Sequence, residues 1–395
     1  MSQMVAAVGA GIALAGIHIY GAVKGHYRKD ETAMQLGLID ARVLEDRAYW
    51  ENWFLDHPNV PRHIPQRRPL RLLSLDGGGV RGIVSLIILQ QIMQEVASGA
   101  RPCEYFDLIG GTSTGGLIAI MLGRLRMSIQ ECIECYTELS KDVFYGDWEL
   151  WSSANWNVLS GHKFSGEKLE NAVKTVVEKY RGATGTHMHD DPVNRGGRPP
   201  CRTFVVAIPG CNVPRPPKLF RTYDNRFQRH SADRCQIWEA ARATSCAPSF
   251  FPDIQVEGVY YSDGGLGYNN PSHLVLQEAR SLWGQSHPIN CLLSLGTGSV
   301  ESFMHRMEYA PDKLGFIKVF GDMAIGCERV HHELAQDYFL EGTYWRFNPK
   351  MDEKIGLDEW RRIDELKGIA WQYLVENDSD VRAFAGATTR ERGRQ

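Results

Sequence analysis

Two short apolar runs, each closed by glycines and each followed by a longer apolar stretch, constrain this chain more than any other feature. The first is "LRLLSL" (Leu70–Leu75), then "DGGGVRG" (Asp76–Gly82), then "GIVSLIILQQIMQEV" from Gly82 to Val96. The second is "YFDLIGG" (Tyr105–Gly111), followed across a serine by "TGGLIAIMLGRL" from Thr114 to Leu125. A brief apolar run bounded by turn residues reads as a buried strand, and the longer stretches behind carry the apolar spacing of helices packed on a sheet. Strand alternating with helix predicts an α/β fold with a parallel sheet. "TFVVAI" (Thr203–Ile208) and "INCLLSLGTG" (Ile289–Gly298) supply further strands, and the segment 312–376 has a helical pattern.

The second unit contains Gly111-Thr112-Ser113-Thr114-Gly115, a G-x-S-x-G placed between strand and helix. So sharp a turn leaves no room for side chains two positions either side of the serine, which demands glycine there and lifts the hydroxyl clear of the sheet. Ser113 is therefore the candidate nucleophile. Gly77, Gly78 and Gly79 after the first strand can turn backbone N–H groups toward a tetrahedral intermediate, with Arg81 adding positive charge and Gly82 opening the helix. The same letters read as Gly77-x-Gly79-x-x-Gly82, a dinucleotide fingerprint. That rival requires an acidic residue at the end of the next strand, whereas Glu95 falls on the helix and Glu104 precedes the strand. It also leaves the serine turn without a purpose.

The base is not an obvious histidine. His273 in "NNPSHLVL" is the nearest candidate and falls in a helical pattern, where a structural role is the simpler reading. "VYYSDGGLGYNNP" instead places Asp263 at the end of a strand, with Gly264 and Gly265 clearing space for its carboxylate to face the serine. A carboxylate is a weak base at neutral pH unless desolvation raises its pKa, which a water-poor pocket would do.

These residues identify a resemblance. "DGGGVRG" at 76–82, "GTSTG" at 111–115, "ATSCAPSFFP" at 243–252, "SDGGLGYNNP" at 262–271 and "LSLGTG" at 293–298 resemble, in order, the motif blocks of the patatin-like phospholipase family. The resemblance implies a three-layer α/β sandwich with a mostly parallel central sheet and helices on both faces. It implies Ser113 as nucleophile, Asp263 as base, and an oxyanion hole from Gly77, Gly78 and Gly79 supported by Arg81, with Gly82, Gly111, Gly115, Gly264 and Gly265 shaping the loops. The implied activity is hydrolysis of fatty-acyl esters, of the calcium-independent phospholipase A or lysophospholipase type, without metal or cofactor. Two alternatives stay open: a transacylase using the same dyad, and a membrane-targeted effector in which hydrolysis is auxiliary.

The remaining features set the context. The formal net charge is −3 over 395 residues, so no basic excess points to nucleic acid. "KLFRTYDNRFQRH" (218–230) interleaves basic and aromatic residues in a way that suits nucleic acid or anionic lipid, but its alternation fits a strand and turn as well. Nine scattered cysteines read as reduced thiols of a cytoplasmic protein, and the Cys132/Cys135 pair has no partner pair at zinc-site spacing. His187, His189, Asp190 and Asp191 lie in a stretch, 181–200, that reads as a long mobile surface loop rather than a metal site. Residues 1–29 form an apolar Gly/Ala-rich segment without Asp, Glu, Lys or Arg before Lys24. Its portion 5–23 is about as long as a bilayer-spanning helix, and small residues recur in it as in closely packed membrane helices. It is read as a membrane anchor or a helix docked on the protein surface, with the basic flank favouring the cytoplasmic side for the rest of the chain. The remaining organisation is a polar lead-in at 30–69, a catalytic core at 70–300, a helical part of the same domain at 301–385 and a polar tail at 386–395.

Overall fold

The computed structural model describes residues 68–145, 162–190, 201–210, 216–225, 234–248, 250–299, 326–337, 340–351 and 355–389. The apolar segment 5–23 and the lead-in to 67 lie outside the described residues. The sheet order is β5-β6-β3-β2-β1-β7-β8, with β4 also paired to β3. Here β1 is Leu70–Leu75, β2 Leu108–Thr112, β3 Arg202–Pro209, β4 Lys218–Arg221, β5 Ile254–Val256, β6 Val259–Asp263, β7 Ile289–Leu295 and β8 Tyr344–Phe347. β3, β2, β1, β7 and β8 run parallel; β4, β5 and β6 are joined antiparallel. Strand β8 lies inside the stretch whose pattern reads as helical. At four residues it is too short to register a period of two against the helices around it.

Alternation along the strands splits the core into two layers. Leu73, Leu75, Ile109, Val205 and Leu293 face one side, against Val84, Ile88 and Ile92 of α1 (Gly82–Ala97) and the apolar residues of α3 (Thr114–Ala119) and α4 (Ile129–Phe144). Leu72, Leu108, Phe204 and Leu292 face the other, against Val275, Leu276 and Ala279 of α8 (Ser272–Trp283). The remaining helices are α2 (Pro102–Tyr105), α5 (Gly166–Arg181), α6 (Ile237–Thr244), the short turn α7 (Gly265–Tyr268), α9 (Ile363–Glu376) and α10 (Asp378–Thr389). The stretch 79–97 is long and apolar enough to cross a membrane, but its residues are mostly buried within the fold. Here it is a core helix, sharing one buried cluster with Leu73 and Leu75 of β1 and Leu293 of β7.

This arrangement brings the ends of parallel β1 and β2 side by side, with Leu75 opposite Gly111, and sets Asp263 of β6 opposite Ala207 of β3. The loops that leave these ends carry the site, as expected where strands of an open α/β sheet end together.

Candidate active site

Ser113 occupies the elbow between β2 and α3 with φ 54° and ψ −127°, a conformation that non-glycine residues rarely adopt and that marks functional turns. The elbow is closed by close backbone approach. A Cβ on Gly111 would sit 2.2 Å from the Gly115 carbonyl oxygen, and one on Gly115 would sit 2.3 Å from that of Leu75. The Ser113 N–H donates to Thr244 Oγ1 at 3.0 Å, and the Thr244 hydroxyl donates onward to the Val206 carbonyl at 2.6 Å. Thr244 thus fixes the elbow to β3 from the end of α6. It belongs to the motif block 243–252, but nothing in the sequence distinguishes it from its neighbours there.

The Ser113 hydroxyl donates to Asp263 Oδ2 at 2.8 Å. The other oxygen, Oδ1, accepts the Gly265 N–H at 2.7 Å, and Gly264 lets the turn pass so close to β3 that a Cβ would meet the Val206 carbonyl oxygen at 2.4 Å. Asp263 is fully buried. Burial raises its pKa to about 7, against the opposing pull of its hydrogen bonds from Gly265 and Ser113. His273 is on α8 and meets Glu333 at 2.8 Å; the serine's partner is the aspartate.

The glycine loop requires a finer division than the sequence implies. The Gly77 N–H donates to the Asn269 carbonyl at 3.1 Å. The Gly78 N–H meets Thr114 Oγ1 at 3.0 Å. The Gly79 N–H has no acceptor among the described residues, and Gly79, at φ 57°, lines the pocket beside Ser113. Arg81 Nε reaches the Gly78 carbonyl at 3.4 Å, on the peptide that carries the Gly79 N–H. Burial lowers the guanidinium's pKa to about 10. Glu95 is exposed on α1 and Glu104 caps α2, so neither supplies the strand-end carboxylate of a dinucleotide site.

Ser113 opens into a pocket walled by Leu117, Leu139, Val143, Phe144, Phe250 and Phe251. Its walls are almost wholly apolar, as in sites that take apolar ligands. Phe164 stands behind, with ring centroids 5.0 Å from Phe144 and 5.8 Å from Phe251.

Other sequence candidates resolve into structural roles. Cys132 and Cys135 are buried in α4, with Cys132 Sγ 3.8 Å from Met121 Sδ, and burial pushes the Cys135 thiol up to about 11. The first half of the stretch read as a mobile loop is tied down. Arg124 donates to the carbonyls of His187, Met188 and His189, and Asp190 is buried beside Arg124 and Arg126; Asp191 lies outside the described residues. In the basic aromatic stretch, Arg221 is buried in a two-pronged pair with Glu278 at 2.6 and 3.0 Å, while 226–230 lie outside the described residues.

A serine held against a lone buried carboxylate at the strand ends, over an apolar pocket, defines an esterase-like site, and comparison with known sequences gives its family. The Patatin-like phospholipase family model matches residues 73–276, and the chain belongs to that family. It is 33% identical over 339 residues to the calcium-independent phospholipase A2-gamma of Rattus norvegicus, covering 82% of this chain and 41% of that protein. It is 29% identical over 376 residues to phospholipase A I of Arabidopsis thaliana, covering 82% of this chain and 27% of that protein. The chain thus spans less than half the length of these relatives. The solved structure of VipD from Legionella pneumophila aligns at TM-score 0.34 and 13% identity over 79% of this chain and 67% of that one, too distant to bear on the site.

Proposed function

We propose that this chain is a lipid acyl hydrolase of the calcium-independent phospholipase A or lysophospholipase type, with Ser113 as nucleophile and Asp263 as base. The observation that carries the reading is the 2.8 Å hydrogen bond from Ser113 Oγ, which lines an apolar pocket, to a fully buried carboxylate. Asp263 takes the hydroxyl proton as Oγ attacks the ester carbonyl. The developing oxyanion is met by the N–H groups of Gly79 and of Thr114, the residue after the nucleophile. Asp263 then gives its proton to the departing alcohol, leaving the acyl chain esterified to Ser113. In the second half Asp263 deprotonates water, which attacks the acyl-enzyme, and the proton passes back to Ser113 Oγ as the fatty acid leaves.

Two features make a carboxylate adequate. A pKa near 7 matches the base to neutral pH, where proton transfer is most effective, and the apolar walls keep water from competing for it. The substrate then sits in a lipid surface, and the apolar segment 5–23 holds the site at that surface, with the catalytic domain on the cytoplasmic side. Named relatives that are phospholipases support the lipid substrate.

The test is fatty-acid release from mixed phospholipid and triacylglycerol vesicles with a chelator present. Wild-type chain should release fatty acid, Ser113→Ala should release none while staying folded, and a chain lacking residues 1–23 should bind vesicles less. An inactive wild type that instead moves acyl groups onto added alcohols would convert the reading to a transacylase. Full activity in Ser113→Ala would refute the dyad outright.

A further inference from the structure

Resting on the hydrolase reading, we infer that Tyr136 of α4 and the segment 355–358 clamp the Gly79–Val80 peptide from opposite sides and, by fixing Gly79 from its C-terminal side, help aim the oxyanion-binding N–H of the preceding Gly78–Gly79 peptide at the acyl carbonyl. The Tyr136 hydroxyl donates to the Gly79 carbonyl at 2.5 Å. The Val80 N–H donates to the Leu357 carbonyl at 2.7 Å. Leu357 also lies so close that a Cβ on Gly79 would fall 2.1 Å from its carbonyl oxygen. Upstream, Thr114 accepts from the Gly78 N–H, and Arg81 donates to the Gly78 carbonyl, which belongs to the peptide that carries the Gly79 N–H.

A glycine at φ 57° has wide torsional freedom, so a loop built on it does not aim its own amide. With the peptides on both sides of Gly79 pinned, that freedom is removed before substrate arrives, which is the preorganisation that oxyanion stabilisation needs. Tyr136 itself is buried in the pocket wall, its hydroxyl where a Gly82 side chain would otherwise lie. The segment 355–358 is held by the Lys163–Asp358 ion pair, 2.5 Å. It lies well past residues 73–276, the part matched by the family model, so this site is completed by chain outside the motif-bearing core. Tyr136 and Leu357 are positioning residues; neither is asked to touch the reacting atoms.

The experiment compares wild type, Tyr136→Phe and Asp358→Asn for vesicle hydrolysis and for the rate of Ser113 labelling by a fluorophosphonate, whose phosphoryl oxygen needs the same donor. Tyr136→Phe keeps the ring and removes only the hydroxyl. It should lower kcat and the labelling rate together by about 10- to 100-fold, below the loss expected from deleting a donor outright. KM should stay within about threefold, and the pH inflection of the base should not move. Asp358→Asn loosens the far side and should lower both rates by about three- to tenfold, with the unfolding temperature nearly unchanged. A fall in KM affinity or in unfolding temperature that accounts for the rate loss, or Tyr136→Phe rates within twofold of wild type, overturns the clamp while leaving the hydrolase standing. A wild type that neither hydrolyses lipid nor labels at Ser113 overturns both.

Discussion

Asp76 and Asp263 are both carboxylates buried where a strand of one sheet ends, yet they are provisioned oppositely. Asp76, after β1, accepts a hydrogen bond from Arg346 Nη2 at 2.8 Å, and the same guanidinium bonds Ser294 at 2.8 Å. Asp263, ending β6, has a hydroxyl and a backbone N–H as partners. Burial raises the pKa of both, but at Asp76 the charge and hydrogen bonds of Arg346 pull the other way. The paired carboxylate ties the loop after β1 to strand β8. A buried carboxylate left without a cation is costly to ionise, and for that reason it can accept a proton near neutral pH.

The largest effect that would break this contrast is at the unpaired partner. Asp263→Asn should lower fatty-acid release by about 10²- to 10⁴-fold, the range for loss of a general base, while making the protein more stable at pH 7. The sign comes from linkage. A carboxyl at about 7 in the folded state and 3.8 when unfolded binds more protons folded, so wild-type stability falls as pH rises from about 4 to 7. The difference is worth at most about 4 kcal/mol; denaturant melts should show the variant's advantage at pH 7 and none at pH 4.

At the paired carboxylate the order reverses. Arg346→Met should destabilise by about 3–5 kcal/mol, because it strands a buried charge. Adding Asp76→Asn to that background should recover a substantial part of the loss. If Arg346→Met is as stable as wild type, the pair is not the tie described.

The pH profile sharpens the contrast further. Wild-type kcat/KM should climb about tenfold per pH unit below the inflection and level off above about 7. An inflection near 4 would show that Asp263 is hydrated in solution. The smallest effect belongs to the elbow support: Thr244→Val leaves the Ser113 N–H without its acceptor and should cost about 1–3 kcal/mol of stability, with a rate loss smaller than that of Asp263→Asn.

Most of the sheet was legible because its signals are local. "LRLLSL" and "TFVVAI" are apolar runs closed by turn residues, and G-x-S-x-G between strand and helix is a steric requirement written into five consecutive residues. Asp263 could be picked out because a carboxylate before two glycines at a strand end is itself a local pattern. Strand β8 was hidden by its length, and the engaged Gly77 amide by a carbonyl, Asn269, far along the chain.

By itself, then, the sequence determined most of the strands, the sharp turn that holds Ser113 and the strand end that carries Asp263, since sterics and periodicity act between near neighbours. The tertiary structure alone decided that Thr244 holds the elbow from 131 residues away, that Tyr136 reaches Gly79 across 57, and that Arg346 neutralises Asp76 across 270. It also set how far Asp263 is desolvated. Such contacts depend on how layers pack, and a pKa depends on everything around the group, so neither is written in the residues that carry the motif.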